Sequence, residues 1–207
     1  MAIAVMILGA SGSGKSASMR NFGGSELGVI NVADKPLPFK SDIKTYNSDR
    51  YEVIEQVLKK AKTKSIVIDD SQYLMANEFM RRSGEIGYQK FTDIAKNFWS
   101  LIDMINRDLP EDVIVYFMHH TEVDVNGNEK AKTVGKMLDE KITIEGLFTI
   151  VLKAEVNDGR YLFATKTNGS DAVKTPMGMF EDRWIDNDLK MVDTTIREFY
   201  GLGKESK

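Results

Sequence analysis

Over residues 1–120, short apolar runs alternate with longer stretches of helical periodicity. The first run is Ile3-Ala4-Val5-Met6-Ile7-Leu8, the second Val29-Ile30-Asn31-Val32-Ala33. Ser65-Ile66-Val67-Ile68-Asp69-Asp70 and Val113-Ile114-Val115-Tyr116-Phe117-Met118 follow. Runs this short, with no polar face, predict strands buried on both sides, as in a parallel sheet. Between them, Val53, Ile54, Val57, Leu58 and Ala61 share one helical face, and Ser48-Asp49 is a start signal for a helix running to residue 62. Helical patterning returns over residues 71–82 and 88–106, and Pro110 ends it. Tyr88, Phe91, Phe98 and Trp99 recur at helical spacing, and the last three read first as core, with a base-stacking platform as the alternative. A helix over residues 15–22 stops at Gly23-Gly24, and Lys35-Pro36-Leu37-Pro38 breaks regular structure after the second strand.

Beyond residue 121 the pattern changes. Residues 122–135 alternate weakly around Asn126-Gly127, which predicts a polar hairpin or a mobile loop. Two apolar runs at 150–156 and 160–165 flank Asn157-Asp158-Gly159 and predict an antiparallel hairpin. Residues 168–178 read as loop, 188–200 as a closing helix and 201–207 as a flexible tail. The expected fold is α/β, a mostly parallel central sheet with antiparallel strands at its C-terminal edge. A single domain spans residues 1–207, with 122–141 as its mobile loop.

Composition narrows this picture by exclusion. With 28 Lys+Arg against 31 Asp+Glu, nucleic-acid contact requires a local basic patch. The absence of cysteine excludes disulfides and Cys-ligated zinc. No run approaches the roughly 18 apolar residues of a membrane span. The apolar N-terminus leads straight into a glycine-rich motif, so it does not read as a signal peptide. A cytoplasmic protein is expected.

That motif is Gly9-Ala10-Ser11-Gly12-Ser13-Gly14-Lys15-Ser16, which fits G-x-x-x-x-G-K-[ST], the phosphate-binding loop or Walker A sequence. Glycines let successive backbone N–H groups converge, and Lys15 and the following helix add positive charge. Gly9 to Ser16, with Ala17, are therefore expected to hold ATP. Asp69 ends a buried strand, where open α/β sheets bind ligands, and with Ser16 is expected to hold Mg²⁺.

Other candidates carry two readings each. Asp70 either orients an attacking water or caps the helix after Ser71. Asp34 is either a second water-orienting carboxylate or a turn residue before Lys35-Pro36. His119 and His120, with Thr121, end the fourth strand, where one of them senses a γ-phosphate; otherwise they are a strand-end cap and an exposed histidine. Lys166 and Lys174 flank a loop and either reach a neighbouring subunit's nucleotide or are solvated. Lys130, Lys132, Lys136 and Lys141 could line a DNA channel, but Glu122, Asp124, Glu129, Asp139 and Glu140 nearly cancel them.

The order of the glycine loop, the strand before Asp34, Ile66-Val67-Ile68-Asp69-Asp70-Ser71, His119-His120, a polar loop, a hairpin and Lys174-Thr175-Pro176-Met177-Gly178-Met179-Phe180 resembles the small phage-encoded RecA-fold ATPases of DNA recombination and single-strand annealing. Thr133-Val134-Gly135-Lys136-Met137-Leu138 adds to the likeness, which covers nearly the whole chain. The resemblance implies ATP at Gly9, Gly14, Lys15 and Ser16, Mg²⁺ at Asp69, and a site shared between subunits of a ring or filament. It implies Lys166 as an inter-subunit finger and residues 122–141 in place of the DNA-binding loops. Such proteins often carry Glu two residues past the second-strand Asp. Here that position is Pro36, so Asp34 or Asp70 takes over, or hydrolysis is slow.

The leading expectation is thus an ATPase acting on single-stranded DNA as a homo-oligomer. The alternatives are a helicase-loading or replication-accessory ATPase with a phage protein partner, a small-molecule or nucleotide kinase, and a non-hydrolysing nucleotide-binding subunit. A kinase needs an arginine-rich lid, and Arg81-Arg82 is the only adjacent arginine pair.

Overall fold

A computed structural model describes residues 1–203. Among them nine strands join in one sheet, ordered β3-β2-β4-β5-β1-β7-β8-β9, with β6 paired to β5 off this path. The strands are β1 Ile3–Gly9, β2 Leu27–Asn31, β3 Thr45–Asn47, β4 Ser65–Asp69, β5 Ile114–Val123, β6 Glu129–Ala131, β7 Ile150–Asn157, β8 Arg160–Ala164 and β9 Trp184–Asp186. Pairing is parallel from β3 through to β7 and antiparallel for β7–β8, β8–β9 and β5–β6. The α/β fold, with its mostly parallel sheet and antiparallel edge, matches the expectation.

Both faces of the sheet are covered, which is why the strand sequences lack a polar face. On β1, Ala4, Met6 and Leu8 face one cluster, which includes Ile54 and Leu58 of α1 (Tyr51–Lys60), Leu74 and Met75 of α2 (Gln72–Arg81), and Phe98 and Ile102 of α3 (Gln89–Asp108). Val5 and Ile7 face the other, with Met19 and with Val192 and Ile196 of α4 (Leu189–Tyr200). Burying one such side chain contributes about 1.5–3 kcal/mol. A polar clamp orients α4. Tyr116 Oη and Ser65 Oγ each donate to Asp193 Oδ1 at 2.8 Å, and Arg197 Nε donates to Asp193 Oδ2 at 2.7 Å. Asp188 caps α4, accepting from the backbone N–H groups of Lys190 and Met191.

Several local expectations are corrected. The helix expected over residues 15–22 is a six-residue 3₁₀ helix over 16–21. Ser18 Oγ bonds Lys15 O at 2.5 Å, and Ser18 N contacts both Gly14 O and Lys15 O, which tightens the turn. α1 starts at Tyr51, and Asp49 turns instead to Asn77 and Arg81 of α2. The strand expected to stop at Met118 runs on to Val123, because its far end pairs with β6. Of the two forms expected there, residues 122–131 take the hairpin, and Met137–Ile142, expected as loop, form a π-helical turn. Strands β3 and β9 carry no buried apolar pattern and are held by backbone pairing at the two edges, so periodicity missed them. Of the expected tail, residues 201–203 form a turn and 204–207 lie outside the described residues. No described helix is long and apolar enough to cross a membrane.

Candidate functional site

The C-terminal ends of β1, β4 and β5 open on one cleft of about 650 Å³. Its lining includes Ala10, Ser11, Gly12, Gly14, Lys15, Ser16, Ala17, Asp69 and Asp70. The loop leaves β1 at Gly9, where a Cβ would meet Ser13 Oγ at 2.4 Å and Ala154 O at 2.6 Å. Gly14 has φ 92°, and a Cβ there would lie 2.7 Å from the Tyr161 ring. No side chain fits either position. Lys15 is nearly buried, and its ammonium donates to Gly9 O at 2.8 Å and Ala10 O at 2.9 Å. Burial lowers its pKa to about 8, against the opposing pull of Asp70 and Asp69.

Asp69 ends a strand in which all five residues are buried. Strand β5 lies between β1 and β4, so the loop and Asp69 belong to non-adjacent strands. Ser16 Oγ bridges them, donating to Asp69 Oδ1 at 2.8 Å. Burial raises the Asp69 pKa, and the Ser16 bond opposes that rise. A hydroxyl and a buried carboxylate at this spacing are hard oxygen donors that suit Mg²⁺ completed by phosphate and water oxygens. Among the described residues no group of three or more His, Cys, Asp or Glu could hold a metal by itself. Ser13 Oγ is buried with no hydrogen-bond partner, an orphaned polar atom inside the loop. The residues present therefore fit a metal–phosphate ligand, with Ser16 and Asp69 as the protein's share.

Asp70 has φ 57°, and this left-handed turn aims its carboxylate into the cleft. It caps nothing: α2 has Ser71 at its N-cap and no side-chain cap bond. His120 Nε2 and Lys35 Nζ each donate to Asp70 at 3.1 Å. The His120 bond first, then Lys35, carries the Asp70 pKa down to about 2 against burial. Asp34 also turns left-handed, at φ 52°. Its Oδ1 accepts from Asn47 Nδ2 on β3, while the next residue, Lys35, lines the cleft. Asp34 thus occupies the turn position, outside the cleft lining.

The two histidines separate because neighbouring strand residues face opposite ways. His120 and Thr121 line the cleft, with the Tyr73 ring edge-on to His120. His119 is fully buried against Phe98. Its Nε2 faces Lys132 O at 2.8 Å, so the proton sits there, and Nδ1 accepts from Ser71 Oγ at 3.0 Å. Burial keeps it neutral, with a pKa lowered to about 4. His119 is closed off from any cleft ligand, which corrects its place among the sensor candidates.

Lys166 follows β8, is exposed, and donates to Glu181 O at 2.5 Å; it is outside the cleft lining of its own chain. The Lys174 backbone pairs with Val151 on β7. Arg81 and Arg82 are tied to Asp49 and to Glu78, Glu85 and Asp93, and no described arginine lines the cleft. The cleft also contains Lys35, Tyr73 and Tyr161, which the motifs did not mark as site residues, and Lys132, expected only as a candidate DNA-channel lysine. Lys35 stood next to a recognised strand end, but only the turn at Asp34 aims it inward. No protein-family model matches this chain, and no curated protein matches it.

Proposed function

We propose that the cleft binds Mg-ATP and hydrolyses it to ADP and phosphate, in a RecA-like ATPase that acts on single-stranded DNA as a homo-oligomer. The observation that carries the nucleotide assignment is the Ser16–Asp69 contact at 2.8 Å beside a buried Lys15. Lys15 exchanges the carbonyls of Gly9 and Ala10 for phosphate oxygens, and the loop N–H groups cradle the same phosphates. Ser16 and Asp69 would hold Mg²⁺, which when bound would neutralise charge on the γ-phosphate. Asp70 orients the attacking water: a carboxylate with a pKa of about 2 is too weak a base to take its proton early. His120, bonded to Asp70, stands at the root of the β5–β6 hairpin and links the cleft to its exposed tip. Tyr161, about half exposed beside Gly14, offers a ring face to the base.

DNA and the oligomer rest on the resemblance and on that exposed hairpin tip. A kinase is disfavoured because the cleft lining has no arginine among the described residues. The test is phosphate release with and without Mg²⁺ and single-stranded DNA, in wild type and Lys15→Ala. Expected are Mg-dependent turnover stimulated by DNA, and its loss, with nucleotide binding weakened at least about 100-fold, in the variant. Turnover that survives Lys15→Ala sinks the hydrolase assignment; turnover indifferent to DNA at low salt sinks the DNA assignment.

A further inference from the structure

Lys132 sits one residue past β6, directly across the hairpin from His120. The register Thr121↔Ala131 places these two opposite one another, and Lys132 N donates to His120 O at 2.8 Å. Cross-strand partners share a face, so both side chains point into the same cleft. The other side of the Lys132 backbone is held as firmly, because the buried His119 donates to its carbonyl at 2.8 Å. His119 is fixed in turn by Ser71, two residues after Asp69. The mouth of the cleft thus receives a lysine whose backbone is clamped from both sides.

Its charge is uncommitted. Lys15 is bonded to two loop carbonyls, and Lys35 is paired with Asp70. Two residues earlier, Lys130 is paired with Glu122 and Asp139. Lys132 is exposed and, among the described residues, pairs with no carboxylate. Both cleft carboxylates already have partners: Asp69 has Ser16, and Asp70 has Lys35 and His120. A spare cation on a fixed backbone, beside the residue bonded to Asp70, suits an anion at the outer end of the phosphate chain.

We propose that Lys132 binds the γ-phosphate of the nucleotide in its own subunit, so that the hairpin supplies in cis the cation that distinguishes a triphosphate from a diphosphate. This rests on the nucleotide assignment above. Binding the γ-phosphate pulls on the strand that begins at the hairpin tip, so a triphosphate and a diphosphate leave the hairpin in different states. His119 is a positioning residue here and touches no ligand.

The test is calorimetric titration with ADP and with β,γ-imido-ATP, both with Mg²⁺, in wild type, Lys132→Ala and Lys132→Arg. A charge-assisted phosphate contact predicts that Lys132→Ala weakens the triphosphate analogue about tenfold or more and leaves ADP within about twofold. Lys132→Arg recovers most of the triphosphate affinity. Unchanged affinity for both ligands in Lys132→Ala overturns the Lys132 assignment and leaves the nucleotide site standing. Equal weakening of both ligands, with a lowered melting temperature, reduces Lys132 to a hairpin-stability role and also overturns it. Failure of wild type to bind either nucleotide overturns the site itself, and this inference with it.

Discussion

The cleft has two walls made in different ways. The wall from β1 and β4 is a glycine loop, a buried lysine and a buried carboxylate, joined by the Ser16–Asp69 bond. The wall from β5 and β6 is a polar hairpin whose residues are held by strand register and by the buried His119. The first wall is specified by local sequence, because each residue stands at a strand end or in a turn that requires glycine at positions 9 and 14. The second depends on which strand pairs with which, so Lys132 is meaningful only opposite His120. On the proposed function the first wall is a floor for the phosphates, and the hairpin wall reads the terminal one.

The sharpest way to separate the walls is to compare neighbouring carboxylates. Asp69→Asn removes the charge but keeps an oxygen for Ser16, and it lowers Mg-dependent phosphate release by at least about 100-fold with the fold intact. Asp70→Asn keeps the geometry of the water site and costs less, about tenfold. Equal losses in the two variants, measured in single-turnover assays, would break the distinction between metal-holding and water-orienting roles.

The adjacent histidines give the next contrast, read as stability by urea denaturation. His119→Ala removes one buried and one part-buried hydrogen bond and leaves a cavity beside Phe98, at a cost of about 2–4 kcal/mol. His120→Ala, at the cleft surface, costs about 1 kcal/mol or less. If the order reverses, His119 is not the buried anchor of the hairpin wall.

The smallest effect is a pH dependence confined to the floor. The Lys15 pKa is lowered to about 8, and the proposed phosphate binding needs its charged form. Nucleotide affinity is therefore flat below about pH 8 and falls by up to tenfold per pH unit above it, until the pKa of the complex is reached. For stability the sign is opposite. The unfolded chain binds this proton up to its ordinary pKa, so this group stabilises the fold as pH rises from about 8 toward 10.5. An affinity flat to pH 10 would show that Lys15 is not buried in the nucleotide-free cleft.

Much of the floor was readable because its chemistry is contiguous. Gly9 to Ser16 lie within one turn, and Asp69 stands at the end of an unbroken apolar run. The roles of Asp70, Asp34 and the histidines were not separable that way, since each was a polar residue at a strand end. Left-handed turns at residues 34 and 70 sent Asp34 toward Asn47 and Asp70 into the cleft. The two-residue period of β5 sent His119 inward and His120 outward. Lys132 was one of several lysines in a segment of nearly balanced charge, and nothing local marked it out.

By itself the sequence determined the α/β layout, the glycine loop and the buried carboxylate. Strand burial, glycine-only turns and strand-end carboxylates are short-range consequences of side-chain type. Only the tertiary structure decided that Ser16 meets Asp69 across an intervening strand, that β3 and β9 close the sheet, and that the hairpin brings Lys132 to the cleft. Those outcomes depend on backbone pairing between distant segments, and backbone pairing carries no residue signature.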